Sequence, residues 1–206
     1  LDIMKVSVVT PNYNGMDFLE NYFKSLNQDS EHIGEVIIVD NGSGDSSLDY
    51  IQNNSFDFPV VIIKNSENRG FAPAVNQGIS KAKYDYIFSL NNDTEIKPGS
   101  IKAMLDLIKC DDVFSVQAKM LKSDNRNLID DAGDEYNLLA WTKKTGENQD
   151  SNKYVEIREI FSSCAGAALY KKSILEELGM FDDNFFAYME DVDLAIRSRI
   201  NGYRNL

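Results

Sequence analysis

Glu190, Asp191 and Asp193 place three carboxylates in one short stretch of the chain, Tyr188-Met-Glu-Asp-Val-Asp-Leu-Ala-Ile-Arg197. Around them Val192, Ala195, Ile196 and Ile200 recur at three- and four-residue spacing, the stripe of a helix with one face turned inward. The acids then stand in the first turn, where the helix dipole favours their ionised form. An ionised carboxylate on a rigid element is suited to take a proton from a hydroxyl nucleophile. Successive helix positions point about 100° apart, so only one of the three can aim at a given hydroxyl. Acid-rich helix starts also occur without any chemistry. A second cluster, Asn91-Asn92-Asp93-Thr94, tips the balance. A carboxylate flanked by amides can hold Mg²⁺ or Mn²⁺ through oxygen, with substrate phosphates and water completing the shell. Ahead of Lys97-Pro98-Gly99 the same residues are also good turn formers. Together the two clusters point to an enzyme that handles a diphosphate.

Strand-like runs alternating with helix-like ones would carry these clusters. Lys5 to Thr10 is short, apolar and β-branched, and Phe18, Leu19, Tyr22, Phe23 and Leu26 then form a helical stripe. Glu35 to Asp40 repeats the pattern and runs into the turn Asn41-Gly-Ser-Gly44. Further strands are predicted at 60–63, 84–90 and 113–118, with helices at about 45–53, 71–82 and 98–109. Apolar strands separated by helices predict an α/β fold, a Rossmann-like, mostly parallel central sheet flanked by helices. Ligands of such sheets bind beyond the carboxyl ends of the strands. Thr10, Asp40 and Asn91 to Asp93 all fall at those ends.

Thr10-Pro11-Asn12-Tyr13-Asn14-Gly15 leaves the first strand with a hydroxyl, two amides and a ring, a set able to hydrogen-bond and stack a nucleobase. Strand-to-helix turns favour several of these residues anyway. Asp40 can accept from a base or ribose hydroxyl, or cap the next helix. Asn68-Arg69-Gly70 sets an amide and a glycine just before a helix, where backbone can approach a ligand. Residues 123–158 break the alternation with dense charge, including Asp130-Asp131 and Asp134-Glu135, and a lone Trp141. They read as an insertion over the sheet edge that can contribute to an acceptor site, each residue by itself being a solvated loop position.

With 206 residues, the chain suits one domain with a sizeable core. A net charge of −12 argues against nucleic acid or anionic lipid as partner, so a phosphate-bearing ligand needs a local cation. The longest apolar runs are strand-length and no signal-like segment opens the chain, which predicts a soluble, unprocessed region. Cys110 and Cys164 cannot form a disulfide framework; both read as reduced core residues, which favours the cytoplasm. His32, the only histidine, reads as a surface-loop residue and leaves no Ser-His-Asp chemistry.

Five segments carry a resemblance in their order and spacing: residues 6–15, Glu35-Val-Ile-Ile-Val-Asp-Asn-Gly-Ser43, Asn68-Arg-Gly-Phe-Ala72, Leu90-Asn-Asn-Asp-Thr94 and Tyr188-Met-Glu-Asp-Val-Asp-Leu194. The chain resembles a family 2 glycosyltransferase of the rhamnosyltransferase-like branch over nearly its whole length. The resemblance implies the GT-A fold, a UDP-, dTDP- or GDP-sugar donor, Mg²⁺ or Mn²⁺, and inversion at the anomeric carbon. It implies that Thr10, Pro11, Tyr13 and Asp40 hold the nucleotide with Asn68 and Gly70 beside it. Asn91-Asn92-Asp93 matches the Asp-x-Asp motif with its first acid replaced, leaving Asp93 as the metal ligand beside Asn92. Asp191 matches the catalytic base, and Cys164-Ala-Gly-Ala-Ala168 the small-residue segment near donor sugar and acceptor. One catalytic domain is implied, residues 1–118 binding the nucleotide sugar and 119–206 carrying acceptor binding and catalysis.

Such enzymes usually continue beyond the point matching Leu206, so a further metal ligand, acceptor elements or a membrane-associating segment are expected past it. The expected reaction moves the sugar to a hydroxyl of a glycan or lipid-linked acceptor, in cell-surface polysaccharide synthesis, in the cytoplasm or at the inner face of the membrane. Asp191 would deprotonate the acceptor in a single displacement; no second carboxylate stands out in the sequence as a nucleophile for a double one. A dinucleotide oxidoreductase would need a Gly-x-Gly-x-x-Gly first turn, which Thr10 to Gly15 lacks. A nucleotidyltransferase would need a glycine- and arginine-rich first loop. The remaining alternative is a non-catalytic nucleotide-sugar-binding module.

Overall fold

The computed structural model describes residues 3–137, 139 and 141–206. The first half alternates as the periodicity predicts: β1 (Val6–Asn12), α1 (Met16–Asn27), β2 (Ile33–Asp40), α2 (Ser47–Asn53), β3 (Val60–Lys64), α3 (Phe71–Lys81), β4 (Tyr86–Leu90), α4 (Ser100–Ile108) and β5 (Val113–Gln117). Two short antiparallel pairs fill the insertion, β6 (Met120–Leu121) with β7 (Ile129–Asp131) and β8 (Asp134–Tyr136) with β9 (Thr142–Lys144). The chain then rejoins the main sheet through β10 (Ala167–Lys171), α5 (Lys172–Glu177), α6 (Glu190–Ile200) and β11 (Arg204–Asn205).

The seven-stranded sheet runs β11-β5-β10-β4-β1-β2-β3. All of its pairings are parallel except those of β10, which lies antiparallel between β4 and β5. Alternate residues feed two cores, as the pleat requires. Val8, Ile38 and Phe88 point to the side covered by Leu19 and Phe23 of α1 and Leu105 of α4. Val9, Ile37 and Ile87 point to the side covered by Val75 and Ile79 of α3, Leu175 of α5 and Leu194 of α6. At roughly 1.5–3 kcal/mol per fully buried large apolar side chain, these two layers hold the strand ends rigidly.

Three expectations are corrected. The inward face of α6 is Val192, Leu194 and Ala195, while Ile200 is 79% exposed. Cys110 is exposed at the end of α4 rather than buried in the core. Thr10 does not project from the strand end; it is fully buried, its hydroxyl paired with that of Tyr22 inside the core. No helix among the described residues is long and apolar enough to cross a membrane.

Candidate active site

At the carboxyl ends of β1 and β2 the loops are laced together through side-chain amides. Asn12 Nδ2 donates to Asp40 Oδ2 at 2.9 Å and to Ser43 Oγ at 3.2 Å, and Asn92 Nδ2 donates to Asn12 Oδ1 at 2.7 Å. Asp40 is 1% exposed, and its other oxygen accepts the amides of Gly42 and Ser43 at 3.2 and 3.0 Å. Gly15 is required here because a Cβ would run into the carboxamides of Asn12 and Asn92. Tyr13 stands outside the lacing at 52% exposure, with Pro11 half-buried behind it, so its ring is free to stack. Asn68 Oδ1 accepts the amide of Gly70 at 3.0 Å and Nδ2 of Asn41 at 3.3 Å, which shapes the loop into α3. Gly70 has φ of 93° and its Cα faces the backbone of Phe186, whose carbonyl accepts the amide of Phe71 at 2.7 Å. The loop into α3 is thereby joined to the segment that leads into α6.

Asn91, Asn92 and Asp93 diverge at the end of β4. Asn91 packs on the Cys164–Ala168 loop, its amide donating to the carbonyl of Gly166 at 3.0 Å. Asn92 turns to Asn12. Asp93 is exposed on the wall of a cleft of about 1050 Å³ that Asp191, Cys164, Lys144, Asp131 and Asp134 also line. Among the described residues no three acids, histidines or cysteines converge as a metal site. Asp93 thus offers a single exposed carboxylate, a hard oxygen donor that fits Mg²⁺ or Mn²⁺ where a substrate diphosphate and water supply the remaining ligands.

Across the cleft, Tyr188 and Met189 take left-handed φ of 69° and 73° just before α6, a costly arrangement for two consecutive side-chain-bearing residues. It aims the start of α6 into the cleft. Asp191 is half-buried; its Oδ2 accepts the amide of Ala165 at 3.3 Å and its Oδ1 that of Val192 at 2.8 Å. Burial raises its pKa in spite of those bonds, so desolvation outweighs the helix-dipole effect expected from sequence. A raised pKa makes the ionised form a stronger base. Its neighbours differ. Glu190 is 6% exposed, pushed up to about 7 by burial, and Asp193 faces outward to pair with Arg197 at 2.6 Å. Burial pushes the Cys164 thiol up to about 12, which keeps it neutral.

Asp131 and Asp134, read from sequence as solvated loop acids, lie buried in the cleft wall. The missed signal is the alternation Ile129-Asp-Asp131 and Asp134-Glu-Tyr136 around Gly133, two short strands and a bend. His32 is remote from the cleft, its Nδ1 3.2 Å from the carbonyl of Met4.

This architecture is that of the GT-A glycosyltransferases. It superposes on a mannosyltransferase from Pyrobaculum calidifontis solved with GDP-Man and Mn²⁺ at a TM-score of 0.72 and 17% identity, over 98% of this chain and 54% of that one. It also superposes on S. aureus TarS 1-349 in complex with UDP-GlcNAc, at 0.70 and 16%, over 98% of this chain and 56% of that one. A match to the glycosyl transferase family 2 model spans residues 7–179, and the chain belongs to that family. An uncharacterized glycosyltransferase of Bacillus subtilis, YfnE, is 27% identical over 94% of this chain and 60% of its own. The poly-beta-1,6-N-acetyl-D-glucosamine synthase of Staphylococcus aureus is 27% identical over 93% of this chain and 45% of its own. The chain thus spans about half the length of these relatives.

Proposed function

We propose that this domain transfers a sugar from a UDP-, dTDP- or GDP-sugar to a hydroxyl of a glycan or lipid-linked acceptor, with inversion, in polysaccharide synthesis. The observation that carries the proposal is the pairing in one cleft of Asp191, pinned by the amides of Ala165 and Val192, with Asp93 on the wall beside the nucleotide-side loops. Tyr13 stacks the base, the Asn12–Asp40 lacing holds the loops around it, and Asn68 with Gly70 shapes the loop next to them. Pro11 and the backbone of Thr10 set the exit of the strand. Asp93, with Asn92 at its side, would hold Mg²⁺ or Mn²⁺ against the diphosphate. When bound, that cation would offset the negative charge that grows on the leaving group.

Asp191 accepts the acceptor's proton as that oxygen attacks the anomeric carbon from the side opposite the diphosphate. Asp191 pinned by two backbone amides, and the resemblance carried by the five motifs, support single over double displacement. Structural relatives solved with Mn²⁺, among them GalNAc-T7 with UDP and GalNAc, support a divalent cation. The five motifs support the rhamnosyltransferase-like branch within the family, and a cytoplasmic site, at the inner membrane face for a lipid-linked acceptor, belongs to the same proposal.

Donor turnover tests it. UDP-, dTDP- and GDP-sugars incubated with Mn²⁺ are expected to give free nucleoside diphosphate with one nucleotide preferred. Binding without turnover of any of them, in the presence of saccharide acceptors, would mark a non-catalytic binding module instead.

A further inference from the structure

The transfer reaction leaves Gln117, the last residue of β5, without a task. Its backbone is locked in the sheet: its amide donates to the carbonyl of Leu206 at 2.8 Å, and it is the register partner of Ala168 on β10. Val113, Phe114 and Val116 of the same strand are buried apolar residues packed into the two cores. At 117 a carboxamide stands instead. Its Nε2 is buried with no hydrogen-bond partner among the described residues, a costly arrangement that packing alone does not explain. The bond that this side chain does make is to Cys164, whose amide donates to Oε1 at 2.7 Å.

Cys164 opens a tight turn, Cys164-Ala-Gly-Ala167, closed by the amide of Ala167 on the carbonyl of Cys164 at 3.2 Å. Its two middle residues face the two halves of the site. The amide of Ala165 donates to Asp191 Oδ2 at 3.3 Å. The carbonyl of Gly166 accepts the amide of Asn91 at 3.0 Å, at the head of the run that ends in Asp93. A Cβ on Gly166 would stand 3.1 Å from the Asn91 carboxamide, so the turn lies close against that run. From the sheet, Gln117 thus holds a piece of chain that is hydrogen-bonded both to Asp191 and to the Asn91–Asp93 run.

We propose that Gln117 is a positioning residue for the base: by holding the Cys164 amide it fixes the turn whose next amide, that of Ala165, aims Asp191 into the cleft. This rests on Asp191 being the base. A hydrogen bond donated to a carboxylate favours its ionised form, so the Ala165 amide works against the rise that burial causes. The Gln117 carboxamide is uncharged and leaves the proton balance of the transfer unchanged. Other titratable groups facing Asp191 are Glu190 on α6, Cys164 on the turn, Tyr170 on β10 and Asp131 and Asp134 on the insertion, with Lys144 beside these two.

The test is Gln117→Met, which keeps the length of the side chain and removes the strong acceptor. Amide hydrogen exchange of the ligand-free protein is expected to speed up at Cys164 and Ala165, while the β5–β10 ladder stays as protected as in the parent. In sugar transfer kcat is expected to fall about tenfold with donor KM unchanged, the effect of one lost hydrogen bond. The acid limb of the kcat–pH profile is expected to move to higher pH, because Asp191 loses a bond that favours its ionised form. A loss of folded enzyme alone would lower kcat without moving that limb. Gln117→Asn, whose carboxamide falls short of Cys164, serves with the same expectations if Gln117→Met does not fold. Unchanged exchange at Cys164 and Ala165 overturns the proposal, and so does raised exchange with an unmoved acid limb. Failure of the base assignment shows separately, as undiminished sugar transfer by Asp191→Asn.

Discussion

Asn12 and Asp40 are register partners on β1 and β2, and their side chains are joined, Asn12 Nδ2 donating to Asp40 Oδ2 at 2.9 Å. Asp40 therefore shapes two loops, whatever it does toward the proposed nucleotide. Asp40→Ala strands the Asn12 amide and the N–H groups of Gly42 and Ser43, at a cost of about 1–3 kcal/mol. The expected outcome is a lower urea midpoint together with weaker nucleoside diphosphate binding. A variant of parental stability that binds parentally would show the lacing to be dispensable.

Asp191→Asn keeps the shape of the side chain but has one acceptor oxygen for the two backbone N–H groups of Ala165 and Val192, and it cannot take up the proton. Sugar transfer is expected to fall by about 10²–10⁴ with donor affinity retained. Glu190→Gln and Asp193→Asn are the controls; if either is inactive while Asp191→Asn transfers normally, the base is a different carboxylate.

Asp93→Ala removes the carboxylate proposed to hold the divalent cation, on the wall of the cleft. Thermal stabilisation by a nucleoside diphosphate plus Mn²⁺ should drop, whereas the protein without ligand should melt as the parent does, because Asp93 is exposed. Saturating ligand at a hundredfold excess over Kd is worth about 2.7 kcal/mol, ample for such a measurement. Equal Mn²⁺-dependent shifts in both proteins would remove Asp93 as a ligand.

The buried acids give stability a pH slope. Asp134 and Glu190 are raised to about 7 by burial, so the folded chain holds their protons more tightly than the unfolded chain does. Stability is then greatest near the unfolded carboxylate pKa of about 4 and falls as pH rises toward 7, by at most about 1.4 kcal/mol for each group over each pH interval of one. Asp106, held at about 2 first by its hydrogen bond from Lys102, titrates below that window. Urea unfolding should give a lower free energy at pH 8 than at pH 5, and Asp134→Asn should flatten the slope. A slope of opposite sign would mean that the acids are already ionised in the folded state.

Much of this was legible because period-two and helical patterns are strong in β1 to β5 and in the helices between them. The strand-end rule brought Asp40 and Asn91 to Asp93 to the right edge of the sheet. What escaped depended on tertiary packing. Thr10 ends an apolar run, yet the pleat turns its hydroxyl inward to Tyr22. Asp131 and Asp134 sit among charged neighbours, and only the folding over of the insertion buries them. Nothing in the pattern of residues 167–171 tells that β10 enters the sheet in the opposite direction between two earlier strands.

That placement of β10 governs how the domain can come into being. During synthesis β4 and β5 emerge with a gap between them, and the sheet stays open until a strand some fifty residues later closes it. Until then both inner edges expose unpaired backbone, a state prone to pairing with other chains. Closure joins distant segments, which slows folding relative to a local meander. A hybrid made by exchanging the segment after residue 118 with that of a relative would have to match the sheet's inner register, not merely its surface loops.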